Sequence, residues 1–243
     1  MSRGLGDVYK RQFLRLNTET IKAHLVKYGR TKGVTDMKTV LQYLETSALN
    51  YPDRPAVSDG ESYLTYSQLE EKSKRIGSFL CGITDIDKPI IIFAHKSTQA
   101  LCCFFGAAYA GCFYTLAEPN LPRERLEKMQ SVLGARIVLA DAQNYASAKE
   151  IFSELAVYMI QDIIYTPVDT CALESVRNKV TDTMPLYVNF TSGSSGVPKG
   201  VAVGHRSVID FIDVFCETFS ITQNDVIGNQ APFDFDVSVK DIY

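Results

Sequence analysis

The chain has no tryptophan and only three histidines among 243 residues. Its six cysteines, Cys81, Cys102, Cys103, Cys112, Cys171 and Cys216, form no C-x-x-C pair and share no spacing with the histidines. That removes the usual zinc and dithiol arrangements. Lying mostly in apolar stretches, they read as small buried hydrophobes of a reducing, cytoplasmic protein. No long Lys/Arg run occurs and the net charge is -3, so a phosphate backbone or an anionic membrane has nothing to grip. Neither nucleic acid nor membrane is expected as a partner. Internal repeats and low-complexity segments are also missing. With 46% hydrophobic residues, the composition excludes disordered and collagen-like classes and leaves a globular protein with one substantial core.

A single uncharged run, Ser97 to Ala117, is long enough to be weighed as a membrane span. Gly106 and Gly111 interrupt it, and Lys96 and Glu118 stand at its ends. A helix from about Ser97 to Ala110, stopped by Gly111, and then a buried strand CFYTL account for the same residues.

Elsewhere, periodicity and punctuation mark alternating elements. KTVLQYLETSALN reads as an amphipathic helix ending before Pro52. YLTYSQLEEKSKRIGSFL reads as a short strand and a helix, with Thr65 and Gln68 in capping-box spacing and Leu69, Ile76 and Leu80 on the buried side. PIIIFA is a strand covered on both faces. LPRERLEKMQSVLG is a helix with Pro122 at its start, Leu126, Met129 and Leu133 on one face, and Gly134 as its stop. ARIVLA is a strand, YASAKEIFSEL a helix, and VYMI and PLYVNF are strands. HRSVIDFIDVFCETF puts Val208, Ile212, Phe215 and Phe219 on one helical face. Such alternation implies an α/β fold with parallel-rich sheets flanked by helices.

The N-terminus stands apart. Ser2 to Gln12, SRGLGDVYKRQ, resemble the translation of a transposon-end adapter from short-read sequencing libraries, so residues 1–12 are set aside as non-native. A chain that begins in an adapter is expected to end in mid-gene, here at VSVKDIY. Residues 13–36 carry no recognised motif, and the natural start is expected at Met37.

The chemically informative stretch is TSGSSGVPKG, Thr191 to Gly200, directly after the strand PLYVNF. Its glycines let backbone N–H groups converge on an anion, and its hydroxyls and Lys199 add hydrogen bonds and charge. The spacing is neither that of a P-loop, since Gly follows the lysine, nor that of a dinucleotide fingerprint.

TSGSSGVPKG closely resembles the phosphate-loop signature of the adenylate-forming enzyme superfamily, T-S-G-(S/T)-T-G-x-P-K-G, with Ser195 where threonine is commoner. Three further segments resemble the family in the right order. YLTYSQL is similar to L-T-Y-x-E-L. YAGCFYTLAEPNLPRERLEKM is similar to the K-A-G segment, with Tyr109 replacing the lysine and Leu116-Ala117 at the strand end where the family has proline. GVAVGHRSV is similar to the stretch after the loop. The resemblance covers Met37 to Tyr243, so residues 37–243 are expected to be a truncated, incomplete N-terminal adenylation domain. It implies an enzyme that activates a carboxylate with ATP and Mg2+. Thr191, Ser192, Gly193, Ser194, Ser195, Gly196 and Lys199 would hold the β- and γ-phosphates, and Lys199 is the implied catalytic lysine. No residue is assigned as a metal ligand.

NQAPFDFDVSVKDIY resembles the F-D-x-S-V segment of amino-acid-activating members, where the aspartate binds the substrate ammonium. Phe235 and Asp236 are therefore the implied substrate-binding residues. A buried ammonium needs a carboxylate partner, which favours amino acids over fatty acids. Asp234 corresponds to no required position. The wording is closest to stand-alone D-alanine-activating ligases, which charge the phosphopantetheine arm of a carrier protein; peptide synthetases often have tryptophan after the SV pair. An acyl- or aryl-CoA ligase, or a nucleotide-binding protein without the chemistry, remain the alternatives. Because the later catalytic groups of the family cannot be placed before Tyr243, the present chain is expected to be inactive. His205 lacks a nearby nucleophile and acid and reads as capping or packing.

Overall fold

The computed structural model describes residues 39–60, 62–191 and 198–243, all within one structural unit. The readings of residues 1–12 and 13–36 lie outside the described residues, as does the body of the loop, Ser192, Gly193, Ser194, Ser195 and Gly196.

Helix α1 (Leu41–Asn50) leads into a small antiparallel ladder of β1 (Pro55–Ser58) and β2 (Tyr63–Thr65). Thr65 then caps α2 (Tyr66–Cys81): its hydroxyl accepts the Gln68 N–H at 3.3 Å and the Gln68 side chain accepts the Thr65 N–H at 3.0 Å. The capping box read from the sequence forms in full.

A six-stranded sheet follows, built from β3 (Pro89–Phe93), β4 (Phe113–Ala117), β5 (Ile137–Ala140), β6 (Ala156–Met159), β7 (Pro185–Thr191) and β8 (Lys199–Gly204). Its spatial order is β6-β5-β3-β4-β7-β8, parallel except for the antiparallel β7–β8 pair. The crossovers pass through α3 (Thr98–Tyr109), α4 (Arg123–Leu133) and α5 (Tyr145–Ile151), then through the single turn α6 (Ile160–Ile163) and α7 (Thr170–Arg177). After β8 come α8 (His205–Phe219), a 3-10 turn at Asp236–Ser238 and α9 (Val239–Ile242).

The chain moves one way along the sheet from β3 to β4 and the other way from β4 to β5. Right-handed crossovers therefore place α3 and α4 on opposite faces. Leu126 and Met129 of α4 and Phe152 at the end of α5 pack on Ile91, Phe93 and Val138 of the sheet, with Phe93 and Phe152 edge to face at 5.5 Å. On the other face Phe104 of α3 stacks on Tyr114 of β4 at 4.2 Å.

The uncharged run folds as α3 and β4, with Ser97 as N-cap and Gly111 at φ 65. No helix among the described residues is long and apolar enough to cross a membrane. Gly106 lies inside α3, within the helix read from the sequence. It sits at the crossing with α2, where a Cβ would come within 2.6 Å of Ile76, while a Cβ on Gly77 would meet that of Tyr109 at 2.6 Å. Several elements escaped the sequence reading, among them β1, α6, α9 and two larger ones. The residues after Pro167 form α7, capped by the Asp169 carboxylate on the Ala172 N–H at 2.9 Å, and KGVAVG forms β8.

Candidate active site

Strand β7 and its hairpin partner set the two ends of the loop. Thr191 and Lys199 are the last paired residues of the β7–β8 ladder, and the Thr191 hydroxyl donates to the Lys199 carbonyl at 3.4 Å. Gly200 lets β8 lie close to β7, since a Cβ there would stand 2.9 Å from Val188. The hairpin thus fixes where Ser192 to Gly196 must start and finish. At its mouth Lys199 is exposed and outside the ion pairs found among the described residues. An exposed ammonium beside a Gly/Ser loop is a donor set suited to a polyphosphate.

Phe235 and Asp236 lie after a long excursion from α8. Phe233 is buried and packs edge to face on Phe104 at 5.6 Å. Ser238 holds the turn by donating to the Phe235 carbonyl at 2.7 Å and to the Phe233 carbonyl at 3.3 Å. Phe235 and Asp236 themselves are exposed at its tip. Burial pushes the Tyr187 phenol up to about 12, and the Asp236 carboxylate adds to the push. Tyr187 and Thr191 are four residues apart on one face of β7, a run of roughly 13 Å.

An aromatic floor supports this region. The Tyr114 hydroxyl lies 2.7 Å from that of Tyr243, and Phe105 meets the Tyr243 ring at 5.4 Å. Burial raises both phenols above their ordinary value. Sequence reasoning also missed Lys96, which it used only as the end of an apolar run. Lys96 follows the carboxyl end of β3, next to the point where connections leave for opposite faces, the usual place for a ligand crevice in such sheets. Beside it, His95 Nδ1 lies 2.5 Å from Glu118 Oε1, and the His95 N–H donates to Asp141 at 3.3 Å.

Other residues singled out in the sequence are placed away from this chemistry. His205 is buried, and its Nδ1 accepts the Val40 N–H at 3.3 Å, which makes it a packing residue that ties the start of α1 to α8. Tyr109 is buried with its hydroxyl 3.4 Å from Glu45. Among the described residues no group of three His, Cys, Asp or Glu side chains is disposed to hold a metal ion.

These features define a doubly wound α/β domain with a hairpin at one edge of its sheet that carries the Gly/Ser segment and the exposed Lys199. The chain belongs to the AMP-binding enzyme family, whose model matches residues 44–243. A D-alanine--D-alanyl carrier protein ligase of Listeria monocytogenes serovar 1/2a is 30% identical over 218 residues, covering 84% of this chain and 40% of that protein. An L-proline--[L-prolyl-carrier protein] ligase of Pseudomonas fluorescens is 30% identical over 216 residues, covering 85% of this chain and 43% of that protein. The chain thus spans about two fifths of the length of these curated relatives. Among solved structures, the nonribosomal peptide synthetase FmoA3 bound to alpha-methyl-L-serine-AMP superposes with a TM-score of 0.74 at 24% identity, over 87% of this chain and 23% of that one. VinN gives 0.72 at 19%, over 85% and 56%. At these identities the two structures speak for the fold alone.

Proposed function

We propose that the protein belongs to an ATP-dependent ligase that activates an amino acid as its aminoacyl-adenylate and passes it to the phosphopantetheine thiol of a carrier protein, in the cytoplasm. D-alanine is the favoured amino acid, on the strength of the segment around Asp236 and of the Listeria relative. The observation that carries the reading is the β7–β8 hairpin, which pairs Thr191 with Lys199 at the two ends of the Gly/Ser loop.

Thr191, Ser192, Gly193, Ser194, Ser195, Gly196 and Lys199 would hold the β- and γ-phosphates of ATP. Lys199 would also offset charge that builds up as pyrophosphate leaves. Mg2+ would supply further charge neutralisation on the phosphates, and it would arrive bound to them. Asp236 would accept the substrate ammonium, with Phe235 beside it, leaving the amino-acid carboxylate free to attack the α-phosphorus. The bond to the bridging oxygen then breaks, and the acyl group is later taken by the carrier thiol.

The test is amino-acid-dependent pyrophosphate exchange in a chain carried to the length of its relatives. D-alanine is expected to stimulate exchange. Asp236→Ala should lower it at least about 100-fold by leaving the ammonium unpaired, with ATP binding retained, and Lys199→Ala should lower it by a similar factor. Exchange that survives Asp236→Ala and responds to fatty or aryl acids would assign the protein to the CoA ligases instead. ATP binding with no carboxylate-dependent exchange would mark a nucleotide-binding protein. The 243-residue chain by itself, at about two fifths of its relatives' length, is expected to give no exchange above background.

A further inference from the structure

The segment that carries Phe235 and Asp236 is a loop closed at its base and fastened to the sheet at one point. The Asn229 side chain donates to Asp241 at 2.8 Å, which joins the two ends of the excursion, and the Asp241 side chain is only 2% exposed. Between these ends, Lys96 reaches over from the carboxyl end of β3. Its ammonium donates to the Asn229 carbonyl at 2.6 Å and to the Ala231 carbonyl at 3.2 Å, and it stands 5.3 Å from the centre of the Phe233 ring. An ammonium has three N–H donors and no acceptor. Two carbonyls and one aromatic face match that capacity.

We propose that Lys96 is a positioning residue for the amino-acid site: it clamps Asn229 to Phe233 against β3 and so fixes the direction from which the Phe235–Asp236 turn faces its substrate. This rests on the reading of Asp236 as the ammonium partner. Strand β3 is a suitable base for a clamp, because Ile90, Ile91, Ile92 and Phe93 are all at most 2% exposed. The clamped segment has little regular structure of its own, with no helix or strand between Phe219 and Asp236. Without the ammonium, the two carbonyls would turn to water, leaving the turn to Phe233, the bonds of Ser238, the Phe235 N–H to the Pro232 carbonyl and the Asn229–Asp241 contact.

The variant Lys96→Met keeps the apolar stem and removes the donors, while Lys96→Arg keeps a charged donor. In the 243-residue chain, amide hydrogen exchange over 229–236 should rise at least about tenfold in Lys96→Met, stay unchanged in β3 to β5, and return towards the parent rate in Lys96→Arg. In the chain carried to the length of its relatives, Lys96→Met should raise the KM for the amino acid about tenfold, with the KM for ATP unchanged and Arg restoring it. Unchanged amide exchange over 229–236 overturns the clamp. Faster exchange with both KM values moving together, or neither moving, overturns the positioning role and leaves a structural contact. If Asp236→Ala leaves amino-acid dependence intact, the ammonium-partner reading fails by itself, and the amide exchange still decides whether Lys96 clamps.

Discussion

Two side chains show how burial, rather than residue type, sets chemistry in this protein. His205 reads as polar and titratable, yet it is 1% exposed, and burial lowers its pKa to about 4, with Asp182 opposing weakly. Its ordinary value is near 6.5, so between those two pH values the unfolded chain takes up a proton that the folded chain refuses. The stability it confers is complete above about pH 6.5 and is lost as the pH falls towards 4, by up to about 3 kcal/mol. Urea unfolding at pH 7.5 and pH 5 should register this loss, and His205→Gln should flatten the pH dependence. The cysteines divide in the same way. Burial raises Cys102 and Cys112 to about 12 and Cys103 upward too, whereas Cys171 is exposed on α7. Alkylation of the native chain at pH 8, followed by mass spectrometry, should label Cys171 and spare Cys102, Cys103 and Cys112 until the chain is unfolded, because the thiolate is the reacting species. The sequence reading of buried cysteines holds for those three; Cys81 and Cys216 are half-buried, and Cys171 departs furthest because Leu173 takes the buried face of α7.

At the scale of elements, the α2–α3 crossing depends on two glycines for its close approach. Gly77 and Gly106 let the two helices approach until a single added carbon would overlap Tyr109 or Ile76. Gly106→Val should therefore cost about 1–3 kcal/mol through overpacking. At roughly 2–4 °C per kcal/mol for a domain of this size, that is a fall of about 2–12 °C in Tm by calorimetry. Nothing in the sequence around Gly106 announced the crossing, because its cause lies some thirty residues away in α2. The stripe on α8 gives the reverse case. Val208 and Ile212 are buried as their spacing indicated, but Phe215 is only half-buried and Phe219 is 61% exposed. The helix begins against β8 and α1, where Tyr43 donates to Asp213 at 2.5 Å, and the described fold supports its first half only.

For the molecule as a whole, the consequence is an apolar surface. Phe211, Phe215 and Phe219 form a ladder of rings at 5.9 and 4.7 Å along α8, and Val201 is 50% exposed on the edge strand β8. Exposed aromatic ridges and open strand edges promote association. The 243-residue chain should show concentration-dependent self-association in sedimentation velocity, and the pair Phe219→Glu and Val201→Lys should reduce it. The sequence by itself determined the alternation of strands and helices, the strands covered on both faces, the capping of α2, and the loop and turn that mark the candidate site. Each of these is written in local period or local punctuation, within the reach of one element. Tertiary structure alone decided the strand order, the antiparallel return of β8, the tie from His205 to Val40 across 165 positions and the reach of Lys96 to Asn229 across 133. Those contacts come from how the sheet and its crossovers pack together, and no window of sequence contains both partners.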